Sequence, residues 1–157
     1  MLDIMIAEGC GLSNSWLYMS AYFDAHRDEY FDRLFRISTE GDWEGWVAFC
    51  LRGAVEQAED KVVRSEALLN LLARYKEQVN QIAGSYGSHR LFAIVEELFG
   101  VPVLDIPTTA KRFDVRYPTA RKDIEKLRSV GIIAELEGTH PKAFFSEDIV
   151  SLIYDGM

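Results

Sequence analysis

The chain has 157 residues, 48% of them hydrophobic, and a formal net charge of -8. This length fits one ordinary domain or two small ones, and the apolar fraction is too high for a mainly disordered chain. No apolar run reaches the roughly 18 residues that span a membrane, and the N-terminal residues MLDIMIAEGC lack the basic start of a signal peptide. We therefore expect a cytoplasmic protein without a membrane partner.

The first segments read as helices. Residues 3–8 are typical of the end of a helix, because two glycines follow closely. Ser20 is the predicted N-cap of the next helix, over about residues 21–38, in which aromatic and aliphatic residues recur at helical spacing.

A much longer helix is predicted over about residues 43–83, with Asp42 as its N-cap and a break near 59–61 left open. Its apolar residues fall on one broad stripe: Trp46, Phe49, Cys50, Ala54, Ala58, Val62, Leu69, Leu72, Tyr75 and Val79. A helix of this length needs partners along its length, or it bridges two domains. The glycine-containing segment 83–87 is the predicted domain boundary.

A different pattern begins at Ser88, the predicted cap of a short helix. An extended segment follows, then a helix for which Thr108 is the candidate cap, then a turn. A second helix starts at Pro118, which suits a first helical turn, and ends at Gly131, which suits a left-handed C-terminal cap. Two strands, IIAELE and KAFF, and a final helix, SEDIVSLIY, complete the chain.

This order of helix, strand, helix, turn, helix and two strands is typical of a winged helix-turn-helix. We therefore predict a mainly α fold with two parts. Residues 1–83 form a helical bundle that includes the long helix, and residues 88–157 form a winged helix-turn-helix with a two- to three-stranded wing.

Basic residues concentrate in the second helix of this motif. Residues 107–129 hold seven basic and three acidic residues, a net charge of +4, whereas residues 1–106 and 130–157 carry -8 and -4. The second helix of such a motif enters the major groove, where arginine and lysine contact bases and phosphates. The predicted nucleic-acid-binding residues are Arg116, Tyr117, Thr119, Arg121, Lys122, Lys126 and, at the end of the wing turn, Lys142.

Two other interpretations of this helix stay open. The residues at i, i+4, i+7 and i+10 spacing must face the core: Ala120, Ile124, Leu127 and Val130. The remaining face would also suit an ordinary solvated helix, since Arg121 and Glu125 stand at ion-pair spacing. Winged helices also dock proteins or dimerise, so the sequence predicts DNA contact or protein contact.

Neither the cysteines nor the histidines predict a metal site. Cys10 and Cys50 have no CxxC spacing and are typical of buried free thiols in a reducing compartment. His26, His89 and His140 are scattered along the chain.

Three short motifs lie between Leu12 and Leu51. They read L-Y-M-S-x-Y-F, then H-R-D-E-Y-F-D-R-L, then G-D-W-E-G-W-V-x-F. In these motifs the chain resembles the Fic family of protein adenylyltransferases, and more loosely it does so over the long helix and the winged helix. The resemblance implies an all-α bundle, of which residues 1–83 would be the trailing helices, and a family activity that transfers AMP from ATP-Mg to protein hydroxyl groups.

The family's catalytic motif, His-Pro-Phe-x-x-Gly-Asn-Gly-Arg, does not occur in this sequence. The segment LDIMIAEGCGLSNSWLYMS resembles the part that follows the motif in the family, so Met1 would lie just after it. The resemblance therefore implies no catalytic residue, no ATP or Mg cofactor and no enzymatic activity for this chain. It predicts the regulatory, DNA-binding C-terminal part of a Fic protein. The alternative is an interaction or homodimerisation module that positions the target of a Fic enzyme through exposed helices.

Overall fold

The computed structural model describes residues 18–82 and 88–154. Its elements are α1 (Met19–Ala25), α2 (Arg27–Glu40), α3 (Trp43–Ile82), α4 (Ser88–Leu98), β1 (Val103–Asp105), α5 (Ile106–Arg112), α6 (Tyr117–Ser129), β2 (Ala134–Leu136), β3 (Ala143–Phe145) and α7 (Glu147–Tyr154). This mainly helical fold with a small sheet confirms the predicted fold class. The chain divides into two compact units, of which one ends at Arg64 and the other begins at Ser65.

The core of the first unit is a cluster of aromatic side chains between α1, α2 and the start of α3. The buried members are Met19, Tyr22, Phe49 and Cys50, with Phe23, Tyr30, Trp46 and Ala54 packed around them. Phe23 stacks on Trp46 at a centroid distance of 6.1 Å. Cys50 is a buried free thiol as predicted, and burial raises its pKa. Cys10 and the helix predicted over residues 3–8 lie outside the described residues.

The helix predicted over residues 21–38 is in fact two helices. α1 ends at Ala25 and α2 begins at Arg27, with His26 between them at φ -113° and ψ 39°. The ring Nδ1 of His26 lies 3.1 Å from the carbonyl oxygen of Tyr22, a local hydrogen bond that periodicity does not reveal. Ser20 was also wrong as an N-cap, because it lies inside α1.

The start of α3 follows the prediction. The Oδ1 atom of Asp42 accepts a hydrogen bond from the backbone N–H of Gly45 at 2.9 Å, which caps the helix. Gly41, at φ 70°, ends α2 in the left-handed conformation that glycine adopts readily. α3 is continuous to Ile82, so the break considered near residues 59–61 does not occur.

The predicted apolar stripe of α3 is only partly buried. Phe49, Tyr75 and Val79 are buried, but Val62 is 58% exposed and Leu69 is 66% exposed. Leu71 takes the buried position that the stripe assigned to Leu69. At about 100° per residue, Val62 and Leu69 lie more than 100° around the helix from Tyr75, so the predicted stripe combined residues from two sides of α3.

At Gly53, α3 packs tightly against side chains of α1. A Cβ atom added there would lie 2.6 Å from Cε1 of Tyr22 and 2.9 Å from Cε of Met19, both buried side chains. We expect Gly53→Ala to lower the free energy of unfolding by about 1–2 kcal/mol, because overpacking outweighs alanine's better helix propensity. Chemical denaturation would measure this loss. Gly100→Ala, where the nearest atom is 3.5 Å away, is the control, and an equal loss there would contradict the prediction.

The second unit contains a winged helix-turn-helix. β3 lies between β1 and β2 in an antiparallel three-stranded sheet, with Phe145 opposite both Val103 and Ala134. Its buried core includes residues from every helix of the unit and from the sheet: Leu71, Tyr75, Val79, Leu91, Ile94, Val95, Leu98, Ile106, Ala120, Ile124, Leu127, Ile132, Ile133, Phe144 and Ile149. The predicted order of elements is confirmed.

The cap of α5 differs from the prediction. Asp105, not Thr108, caps this helix, and its Oδ1 accepts from the backbone N–H of Thr108 at 2.8 Å. The helix can start earlier because Pro107 falls in its first turn, where the missing N–H has no cost. The side chain of Ser88, the predicted cap of α4, lies outside the described residues.

The last turns of α3 belong to this second unit. Leu71, Tyr75 and Val79 are buried in its core, so the unit starts inside α3 and upstream of the predicted boundary segment 83–87, which is not described. The Tyr75 hydroxyl hydrogen-bonds with the Ser146 hydroxyl at 2.9 Å, which ties α3 to the start of α7.

Candidate nucleic-acid interface

The helix α6 presents one buried face and one basic face. Ala120, Ile124 and Leu127 are fully buried, as the spacing predicts, and Val130 is the half-buried residue that ends the helix. Gly131 follows at φ 76°, as predicted for a glycine after a helix. The core therefore fixes which side of α6 is left for a ligand.

The predicted site residues on α6 lie at the surface. Arg116, Tyr117, Arg121 and Lys122 are exposed, and Thr119 and Lys126 are half-buried. Within residues 18–82 and 88–154, the four basic members of this set, Arg116, Arg121, Lys122 and Lys126, have no acidic partner. We refer to these four residues as the basic face.

The ion pair considered between Arg121 and Glu125 does not form. Glu125 instead lies 3.9 Å from Nη1 of Arg128, one turn nearer the C-terminus. Arg121 is thus left without a carboxylate in the described part of the chain. The interpretation of α6 as a helix held by ordinary ion pairs loses its main support.

Asp123 is an acidic residue on the buried face of α6. Its side chain is buried, and its Oδ2 accepts from Nε of Arg90 on α4 at 2.5 Å, an interaction that raises the pKa of Arg90. Sequence analysis missed this residue, although its position three residues after Ala120 places it on the core stripe. Because Asp123 faces inward, its charge does not offset the exposed cations.

The start of α6 carries no acidic group. Arg116 precedes the helix without a side-chain capping bond, and the first turn contains no Asp or Glu. The N-terminal end of a helix is electropositive, so cations there are disfavoured unless an anion is bound nearby. Arg116, Arg121 and Lys122 therefore add to the positive potential of this end.

Lys142 occupies a different environment from the basic face. Its Nζ donates to Oε1 of Glu135 at 2.5 Å, and Nη1 of Arg128 lies 3.3 Å from Oε2 of the same carboxylate. The hydrogen bond from Lys142 is the main cause of a lowered pKa for Glu135. The structure thus joins Lys142 to Arg128 through Glu135, a pairing that sequence analysis did not predict.

No known family model matches the chain. Within the described ranges, no helix combines the length and the apolar character needed to cross a membrane. The same part of the chain contains no group of three or more His, Cys, Asp or Glu side chains that could hold a metal ion.

Proposed function

We propose that the winged helix-turn-helix binds DNA through the basic face of α6. The observation that carries this proposal is the set of unpaired cations on that face, in a chain whose net charge is -8. Ion pairs engage most of the other arginines and lysines of the described residues. Unpaired cations on one helix face are the usual electrostatic mark of a phosphate-binding surface.

The residue types suit the two kinds of contact that such a helix makes. The Arg121 guanidinium can donate two parallel hydrogen bonds to a guanine, and the Lys122 ammonium can contact a phosphate. Thr119 and Tyr117 supply hydroxyl groups at the end of the helix that enters the groove. The acidic remainder of the chain is screened from this surface beyond roughly 8 Å at physiological salt.

Salt-dependent titration tests the proposal. We expect a mixed-sequence DNA duplex to bind at low salt, with an affinity that falls steeply as salt rises. If the basic face makes four phosphate contacts, log K should fall against log salt with a slope of about -3 to -4. Absence of binding at about 50 mM salt, or binding that does not change with salt, would overturn the proposal.

We further propose that the chain is the regulatory C-terminal part of a Fic-type protein and transfers no AMP itself. Support comes from the three motifs between Leu12 and Leu51, whose aromatic residues Tyr22, Trp46 and Phe49 pack together in one cluster. The chain also lacks the histidine of the family motif, which would serve as general base. Incubation with labelled ATP and Mg²⁺ should leave protein unlabelled, and AMP transfer would overturn this part.

A second candidate function is a protein-interaction or dimerisation module. A specific observation favours it, because α3 exposes more than half of each of several large apolar side chains: Val47, Leu51, Val55, Val62, Val63 and Leu69. Apolar surface of this extent usually has a partner.

Sedimentation of a charged variant tests the second candidate. We expect Val55→Glu with Val62→Glu to convert any self-associated protein to monomer, because burying two carboxylates in an apolar contact is strongly unfavourable. Asn70→Glu with Asn80→Glu adds the same charge at exposed polar positions of α3 and should leave the mass unchanged. A wild-type chain that sediments as a monomer at all concentrations would contradict dimerisation.

A further inference from the structure

The carboxylate of Glu135 bridges two cations from different elements. Oε1 accepts from the Lys142 ammonium at 2.5 Å, and Oε2 lies 3.3 Å from the Arg128 guanidinium. Arg128 is in the last turn of α6, and Lys142 directly precedes β3. Glu135 itself is held in β2, where its backbone pairs with Phe144 of β3. One anion therefore links the recognition helix to the wing.

Both cations remain accessible while they hold this anion. The side chain of Lys142 is 66% exposed and that of Arg128 is 46% exposed, whereas Glu135 is only 24% exposed. Here a guanidinium and an ammonium group contact the two oxygens of one carboxylate. The same pair of cations is well suited to bind a phosphate. Ion pairs this exposed to water contribute little stability, so a competing anion can replace the carboxylate.

The position of this pair relative to α6 suggests which anion competes. Arg128 lies on the same helix as the basic face, and Lys142 is the only basic residue between 130 and 157. In winged helix-turn-helix proteins the recognition helix lies in the groove of the duplex, so elements beside it approach the sugar-phosphate backbone.

We infer that Arg128 and Lys142 form a second phosphate-binding subsite, which Glu135 occupies until a backbone phosphate of DNA displaces it. The inference rests on the proposed DNA binding and adds a regulation of that binding. Glu135 holds the two cations in place in the free protein and lowers the affinity of the wing for DNA. A phosphate carries its charge on several oxygens, so it can accept from both cations at once.

The test compares two glutamine variants of the same wing. Glu135→Gln removes the carboxylate charge that contacts Arg128 and Lys142, while Glu137→Gln removes the same charge from an exposed neighbour with no partner among the described residues. Both variants would be titrated with a mixed-sequence duplex between about 50 and 200 mM salt. We expect E135Q to bind about threefold or more tightly than E137Q at low salt, with a salt slope steeper by about one.

A second variant, at Lys142, tests the subsite even if E135Q folds poorly. Lys142→Gln should weaken duplex binding and reduce the salt slope by about one, and adding it to E135Q should remove the gain. Equal binding by E135Q and E137Q, or weaker binding by E135Q, would overturn the subsite while DNA binding through α6 stands. If neither the wild type nor any variant binds the duplex, the proposed function falls together with the subsite.

Discussion

Replacing Arg121 and Lys122 with glutamate should abolish duplex binding by this chain. Both side chains are exposed on the first turns of α6, and neither has an ion-pair partner in the described residues. The double change removes two phosphate or base contacts and places two carboxylates against the DNA. We expect the affinity at low salt to fall on the order of 100-fold and the salt slope to shrink by about two. Fluorescence anisotropy with a labelled duplex measures both quantities.

A variant with the same change in charge separates local contact from overall repulsion. Arg27→Glu with Arg36→Glu alters two exposed arginines of α2, so it changes the net charge by the same amount as the α6 variant. If the DNA contact is local to α6, this control should bind the duplex nearly as the wild type does. If the two variants lose affinity equally, α6 does not carry the contact. Unchanged affinity of the α6 variant would refute the assignment directly.

The sequence predicts α6 well because its signals are local. Pro118 marks the first turn, Gly131 marks the end, and the spacing of Ala120, Ile124 and Leu127 marks the buried face. Each signal depends on residues within a few positions of one another. The same holds for Asp42, whose cap of α3 involves a residue three positions away.

Contacts between residues that are distant in the sequence or lie on different elements could not be predicted in this way. The partner of Asp123 is Arg90, 33 positions earlier, and nothing in the helical pattern connects them. Glu135 likewise contacts Arg128 and Lys142 from another element in each case. Counting charges along residues 107–129 therefore underestimates the positive charge of the basic face by one buried acid. The sequence also gives no sign that Lys142 pairs with Glu135.

The burial of α3 shows a second limit of sequence patterns. The predicted stripe was too broad, because it included Val62 and Leu69 from the exposed side of the helix and left out the buried Leu71. The sequence pattern cannot show which apolar residues of a long helix are buried, because burial depends on the elements that pack against the helix. The exposed residues of α3 are thus known only from the structure.

Asp123→Ala should lower the free energy of unfolding of the second unit by about 2–4 kcal/mol, the largest loss we expect from a single polar residue of α6. The change leaves the Arg90 guanidinium without its acceptor in a site where its side chain is 27% exposed and where Asp123 is 5% exposed. The partial exposure of Arg90 keeps the loss below that of a fully buried pair, because water can replace some of the lost hydrogen bonding. Thermal and chemical unfolding would measure it.

Glu125→Ala is the matched control, because it removes an acid from the same helix at an exposed position. Glu125 makes only a 3.9 Å contact with Arg128, so its loss should change stability by less than about 0.5 kcal/mol. Adding Arg90→Ala to Asp123→Ala should cost less than the sum of the two single changes, since the pair is then removed as a unit. Strict additivity would show that the pair contributes no coupling, and α6 would then be positioned by its apolar face alone.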